Sequence, residues 1–150
     1  MVRLEVIEMS EPGCEALDLL KSYAAVSDEG QSYLLLMALK RAFSMVQRYA
    51  DKALLPGRYR LTATEHGGSV KLYMGGKVVG VTDAYGTPVM SGQTGSQVQV
   101  ATGGMVQVEF TTEVNAFDYE RLLPVVLRYA TALYDGEDMT VLNKILREAL

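Results

Sequence analysis

The spacing of apolar residues changes twice along this chain. Leu35, Leu39, Phe43, Val46, Ala50 and Ala53 recur every three or four positions, the spacing of one helix face. From Tyr59 through Phe110 the apolar residues recur every second position, as on one face of a strand. Leu123, Val126, Leu127, Ala130, Leu133 and Tyr134 then return to the helical period. Strands bracketed by helices, rather than alternating with them, predict an α+β fold. The expected architecture is a helical bundle, made of a long central helix and a C-terminal helix pair. An antiparallel sheet of β-hairpins is inserted into it at about residues 57–113. At 150 residues the whole chain, 1–150, is read as one domain.

Local signals set the expected boundaries. "VRLEVIEM" alternates Val2, Leu4 and Val6 with Arg3, Glu5 and Ile7, a short strand. After Pro12–Gly13, Ala16, Leu17, Leu20 and Tyr23 predict a helix over about 14–24. The long helix takes Ser27 or Asp28 as its cap and runs to about residue 54, where Leu55–Pro56–Gly57 stops it. Its other face carries Leu34, Met37, Met45 and Tyr49. A helix apolar on nearly all sides needs more than one neighbour, and in a small chain that neighbour can be another subunit. Pro124 is placed in the first turn of the penultimate helix. Met139, Leu142, Ile145 and Leu146 supply the buried face of the last one.

In the middle, Val70, Leu72 and Met74 precede Gly75–Gly76, and Val79 and Val81 follow it. Val98 and Val100 stand in the same relation to Gly103–Gly104 and to Val106, Val108 and Phe110. Both are read as two-residue hairpins, because primed turns need positive φ. The glycine-rich stretch 83–97 between them is read as a long contact loop carrying Tyr85 and Met90. Tyr73, out of phase with Leu72 and Met74, is a further candidate surface contact.

The residues that carry chemistry are sparse. A net charge of −4 argues against a sequence-blind nucleic-acid binder, which needs clustered cations. Arg58 and Arg60 alternate with apolar residues and read as one solvated strand face. Cys14 is the single cysteine, so no internal disulfide or structural zinc site is expected; it is read as a small buried or half-buried hydrophobe. His66, the single histidine, lies in "TEHGGS" and is read as an exposed turn residue. "MGGKVVG" lacks the upstream glycine and the Ser/Thr of a phosphate loop. No stretch approaches about 18 uninterrupted apolar residues, and the start lacks a signal-peptide core, which leads us to expect no membrane and an intracellular site of synthesis. In "TALYDGEDMTVL", Asp135, Glu137 and Asp138 lack calcium-loop spacing. They read instead as a helix end at Gly136 followed by an acid-capped helix start. No catalytic residue, metal ligand or cofactor is assigned.

Two helical segments resemble the head–tail connector (adaptor, or head-completion) proteins of tailed bacteriophages. In "LDLLKSYAAVSDEGQSYLLLMALKRAFSMVQRYADKAL", Leu20, Lys21, Asp28, Glu29, Leu39, Ala42, Val46, Tyr49 and Leu54 occupy the places of the family's first helix, acidic turn and long helix. In "LLPVVLRYATALYDGED", Pro124, Leu127, Ala130, Leu133, Tyr134 and Glu137 match its proline-initiated helix and charged turn. The match covers about residues 17–54 and 120–149, and departs from the family at Gly136, in the N-terminal strand and in a larger double hairpin. The resemblance implies a non-enzymatic virion subunit, assembled in the bacterial host cytoplasm. Such a subunit forms a ring of its own copies that binds the portal and tail-completion proteins, and DNA passes through the ring without sequence-specific binding. Tyr134 and Glu137 then join Tyr73, Tyr85 and Met90 as candidate subunit or partner contacts. A tail terminator shares most of these features. A different class also fits the sequence: a small-molecule-binding or enzymatic α+β domain, with a pocket between sheet and long helix and His66, Glu65 and Tyr73 as its residues.

Overall fold

A computed structural model describes residues 1–24 and 32–150. Its elements are β1 (Val2–Met9), α1 (Cys14–Tyr23), α2 (Ser32–Ala50), β2 (Gly57–Ala63), β3 (Ser69–Lys71) and β4 (Lys77–Asp83). They continue with β5 (Ser91–Thr94), β6 (Gln97–Val100), β7 (Val106–Thr112), α3 (Ala116–Tyr134) and α4 (Met139–Arg147). The fold is α+β. The chain forms two compact units: a β unit of Met1–Ser10 with Pro56–Glu113, and a helical unit of Glu11–Leu55 with Val114–Leu150. The expected caps Ser27 and Asp28, and the acidic turn of Asp28 and Glu29, lie outside the described residues.

The helical unit packs α2 against α3, with α1 touching both and α4 closing on α3. Leu35, Leu39, Ala42, Phe43 and Val46 form the buried stripe of α2, as the spacing predicts. On α3 the buried residues are Leu122, Val125, Val126, Leu127, Tyr129, Ala130 and Ala132. The expected Val126, Leu127 and Ala130 are among them, but the buried face is rotated from the predicted stripe, and Leu123, Leu133 and Tyr134 are only half-buried. Tyr23 and Met139, expected inside, are exposed, as is Cys14.

Two helix ends differ from expectation for identifiable reasons. The long helix stops at Ala50, four residues early. Asp51 takes a left-handed φ of 55°, and the N–H groups of Asp51 and Lys52 donate to the carbonyls of Arg48 and Gln47. That is a Schellman stop with aspartate in the place usually held by glycine. Ala53, Leu54 and Leu55 are still buried, so their apolar character extends the stripe past the end of the helix. The buried Gln47 side chain explains how: its Oε1 accepts from Leu54 N–H at 3.2 Å and from Leu55 N–H at 3.4 Å. At the other end, Pro124 lies inside α3 rather than at its start. Asn115 caps the helix by accepting from the N–H groups of Phe117 and Asp118. The carbonyl that Pro124 leaves unbonded is that of Glu120, and both residues are exposed, where water can replace the lost bond.

The β unit holds two antiparallel sheets, of order β1-β2-β7-β4 and β3-β6-β5. Neither double-glycine stretch forms the expected hairpin. β3 and β6 lie in the smaller sheet and β4 and β7 in the larger, so each double glycine carries the chain from one sheet to the other. The turn before β4 runs from Tyr73 to Gly76, with Met74 at φ 56° and Gly75 at φ 63°. Positive φ is therefore taken by Met74 and Gly75. Gly76 serves a different purpose: a Cβ there would overlap the Phe110 ring. Val81 is buried while Val79 is exposed, because the β4–β7 register shifts between Val78 and Gly80.

Residues 83–97 are ordered by two tight turns instead of forming a long loop. Asp83 Oδ1 accepts from the N–H groups of Tyr85 and Thr87, and Thr82 bridges to Pro88. β5 then pairs with β6 across Gly95–Ser96. Tyr59 and Phe110, directly opposed on β2 and β7, stack at 5.4 Å. On the other face Glu109 accepts from Arg58 at 2.9 Å and Arg60 at 3.3 Å; the solvated strand face expected of the two arginines is also ion-paired, through a partner the sequence did not indicate. The hydrogen bond from Arg58, aided by Arg60, holds the Glu109 carboxyl below the usual range despite partial burial.

Two substitutions test these joints. Gly76→Ala should destabilise the chain by about 1–3 kcal/mol through overpacking against Phe110, seen as a lower urea midpoint with an unchanged slope. Gln47→Leu should cost about 1–3 kcal/mol by the same measurement, since two buried N–H groups lose their acceptor.

Candidate interaction surface

The outward stripe of α2 leaves apolar residues uncovered: Leu34 is 54% exposed and Met37 48%, with Tyr33 exposed beside them and Tyr49 exposed at the far end of the helix. They share the helix with the buried stripe because residues three and four apart fall on one face. Leu34, Met37, Ala38 and Arg41 meet Leu133 and Tyr134 of α3 around an open groove of about 380 Å³. Its floor is apolar and Arg41 supplies the charge. The sequence places Leu34, Met37 and Tyr134 on such a surface. It does not mark Ala38, Arg41 or Leu133, whose roles follow from where α3 crosses α2.

The residues that end α3 shape one rim. Gly136 has φ 73°, and the N–H groups of Gly136 and Glu137 donate to the carbonyls of Leu133 and Ala132. Asp138 Oδ1 accepts from Val141 N–H at 3.1 Å and caps α4. The acidic stretch is thus a helix stop and a helix start, as its spacing predicts. Glu137 itself is exposed, its backbone used in the turn. Among the described residues no group of three or more His, Cys, Asp or Glu side chains could hold a metal ion.

The other candidate contacts, Tyr73, Tyr85 and Met90, lie in the β unit. Tyr85 (93% exposed) and Met90 (85%) stand on the ordered segment between β4 and β5. Tyr73 is half-buried on the Tyr73–Gly76 turn, with Lys71 Nζ 5.9 Å from its ring centre. His66 accepts from Gly68 N–H on Nδ1 and lies 2.7 Å from the Gly104 carbonyl on Nε2, so a neutral ring protonated on Nε2 satisfies both contacts. Nδ1 closes its own turn and Nε2 ties that turn to the one at Gly104. In the helical unit, burial raises the Tyr119 phenol above its ordinary range, and Glu15 adds to the effect.

No protein-family model and no curated protein matches the sequence. Solved structures do. A chain from the neck of an empty gene transfer agent particle, computed with sixfold symmetry, aligns at a TM-score of 0.64 and 18% identity, over 98% of this chain and 94% of that one. In fold, the chain resembles a particle-neck component. A chain from the virion of a native gene transfer agent particle aligns at 0.59 and 20% identity, covering 88% and 84%. A third, from the neck of the native particle computed with twelvefold symmetry, aligns at 0.55 and 19%, covering 95% and 94%. Both units are included in these alignments, so the likeness extends to the β insertion as well as the helices. Among the described residues no helix is long and apolar enough to cross a membrane.

If Asp138 is a cap, Asp138→Ala should lower stability by about 1 kcal/mol, and millimolar calcium should leave the melting temperature of the unmodified protein unchanged. A calcium-dependent rise in melting temperature would show the carboxylates to be a metal site instead.

Proposed function

We propose that this protein is a non-enzymatic structural subunit of a head–tail connector ring in a phage or phage-like particle. It joins the portal to the tail and extends the channel through which DNA passes. The observation that carries this reading is the nearly full-length, two-way correspondence with a particle-neck chain. The sixfold and twelvefold symmetries belong to those neighbours' necks; for this chain, a closed ring of its own copies is the corresponding arrangement.

The uncovered apolar stripe of α2 supports the reading, because a structural subunit must leave unburied in the monomer what it buries on assembly. A closed ring needs a head-to-tail contact, in which two different surfaces of each copy meet. A net charge of −4 suits a channel wall that DNA slides past rather than one that holds it. Portal and tail-completion proteins are the expected partners above and below, with Tyr73, Tyr85 and Met90 among the candidate contacts. Residues 1–150 act as one connector subunit in this reading.

Sedimentation velocity over a wide concentration range, alone and with a portal protein from the same particle, tests it. The expected species is a ring of roughly a dozen copies, alone or templated on the portal. A strict monomer in both conditions would overturn the proposal.

A further inference from the structure

We propose that the α2–α3 groove receives the exposed edge of α1 from a second copy of this chain. The inference rests on the ring reading above and specifies the contact that would close the ring.

Both surfaces are apolar at the centre, and the α2 side of the groove carries cations where the α1 edge carries carboxylates. Arg41 lines the groove, and Arg48 lies two turns further along the same exposed stripe. The α1 edge presents Leu19 and Tyr23, both about half-exposed, flanked by the exposed Glu15 and Asp18. Lys21, the cation of α1, is half-buried. Among the described residues Arg41, Arg48, Glu15 and Asp18 have no ion-pair partner within the chain, in contrast to Lys40, Arg58, Arg60 and Arg128. Two apolar side chains flanked by carboxylates therefore match an apolar floor with Arg41 at its edge and Arg48 beyond it on the same stripe.

The fold also decides between kinds of symmetry. Lys40 Nζ reaches Glu11 Oε1 at 2.7 Å and so marks the flank of α2 on which the chain enters α1. Arg41 lies about 100° further round the helix axis, on the groove side. The donor edge and the groove thus occupy different flanks of one helical unit. A two-fold contact of groove on groove would oppose arginine to arginine, which costs affinity. Edge into groove pairs opposite charges and leaves each copy one free edge and one free groove, which is what a ring propagates.

Charge reversal tests the pairing. One variant carries Arg41→Glu with Arg48→Glu; a second carries Glu15→Arg with Asp18→Arg. All four positions are exposed, so thermal melts should stay within a few degrees of the unmodified protein, the reversals at the helix ends (Glu15 and Arg48) costing only a small part of its stability. Each variant alone should assemble at least about tenfold more weakly in sedimentation velocity. A mixture of the two, and a single chain with all four substitutions, should both recover assembly, because every contact is again of opposite charge. Met37→Lys, which charges the groove floor, should weaken assembly in the same way. If the unmodified protein forms rings and the reversals assemble like it, or are not rescued by mixing, this contact is wrong and the ring reading stands. If the unmodified protein is monomeric alone and with portal, the ring reading fails and this contact with it.

Discussion

The pairing of β2 with β7 is the constraint on which the rest of the structure depends. Helices α2 and α3 form the main packing of the helical unit, yet the whole β insertion separates them in sequence. Closing a flexible loop of roughly 55 residues costs about 3–4 kcal/mol in chain entropy. The insertion offsets this by folding on itself so that its entrance and exit meet. β2 and β7 are antiparallel neighbours, and Gly57 lies opposite Thr112. The Tyr59–Phe110 stack and the Arg58–Glu109–Arg60 group bind the same pair of strands on opposite faces. The chain that leaves α2 is thus returned beside its point of departure.

A chain divided in this way needs sharp ends on its elements, and the helix ends here are built by specific residues. Asp51 and Gly136 both take left-handed φ and both close Schellman turns. After Asp51 the backbone must stay buried without a helix to satisfy it, and the Gln47 amide does so from within α2. A polar side chain in a buried helical stripe reads as a defect in the pattern, but here it is the acceptor that lets the chain turn while still buried. The sheet crossings show the same economy. Gly76 makes room for the Phe110 ring, while its neighbours Met74 and Gly75 make the turn.

The functional reading follows from what the helices leave uncovered. One stripe of α2 is buried, and another carries Leu34 and Met37 into solvent beside Tyr134. Chemistry-bearing residues are otherwise used structurally: Asp138 in a cap, and His66 between two turns. The chain thus combines a fold like that of particle-neck chains with a helix face that its own helices leave uncovered, and the proposed assembly rests on both.

Hydrophobic period and punctuation determined much of this protein. They determined the α+β order, the positions of the helices, the buried stripe of α2 and the meaning of Gly136 and Asp138. These are local properties, in which side-chain spacing and capping act within a few residues. Period two announced the strands but not their partners. The double glycines look like hairpin turns because turns need flexible residues. Only the tertiary structure decided that they join two sheets, since pairing depends on residues distant in sequence. For the same reason the sequence showed that α2 has a second apolar face, whereas the crossing of α3 decided that it forms a groove with Leu133 and Tyr134, with Arg41 at its edge.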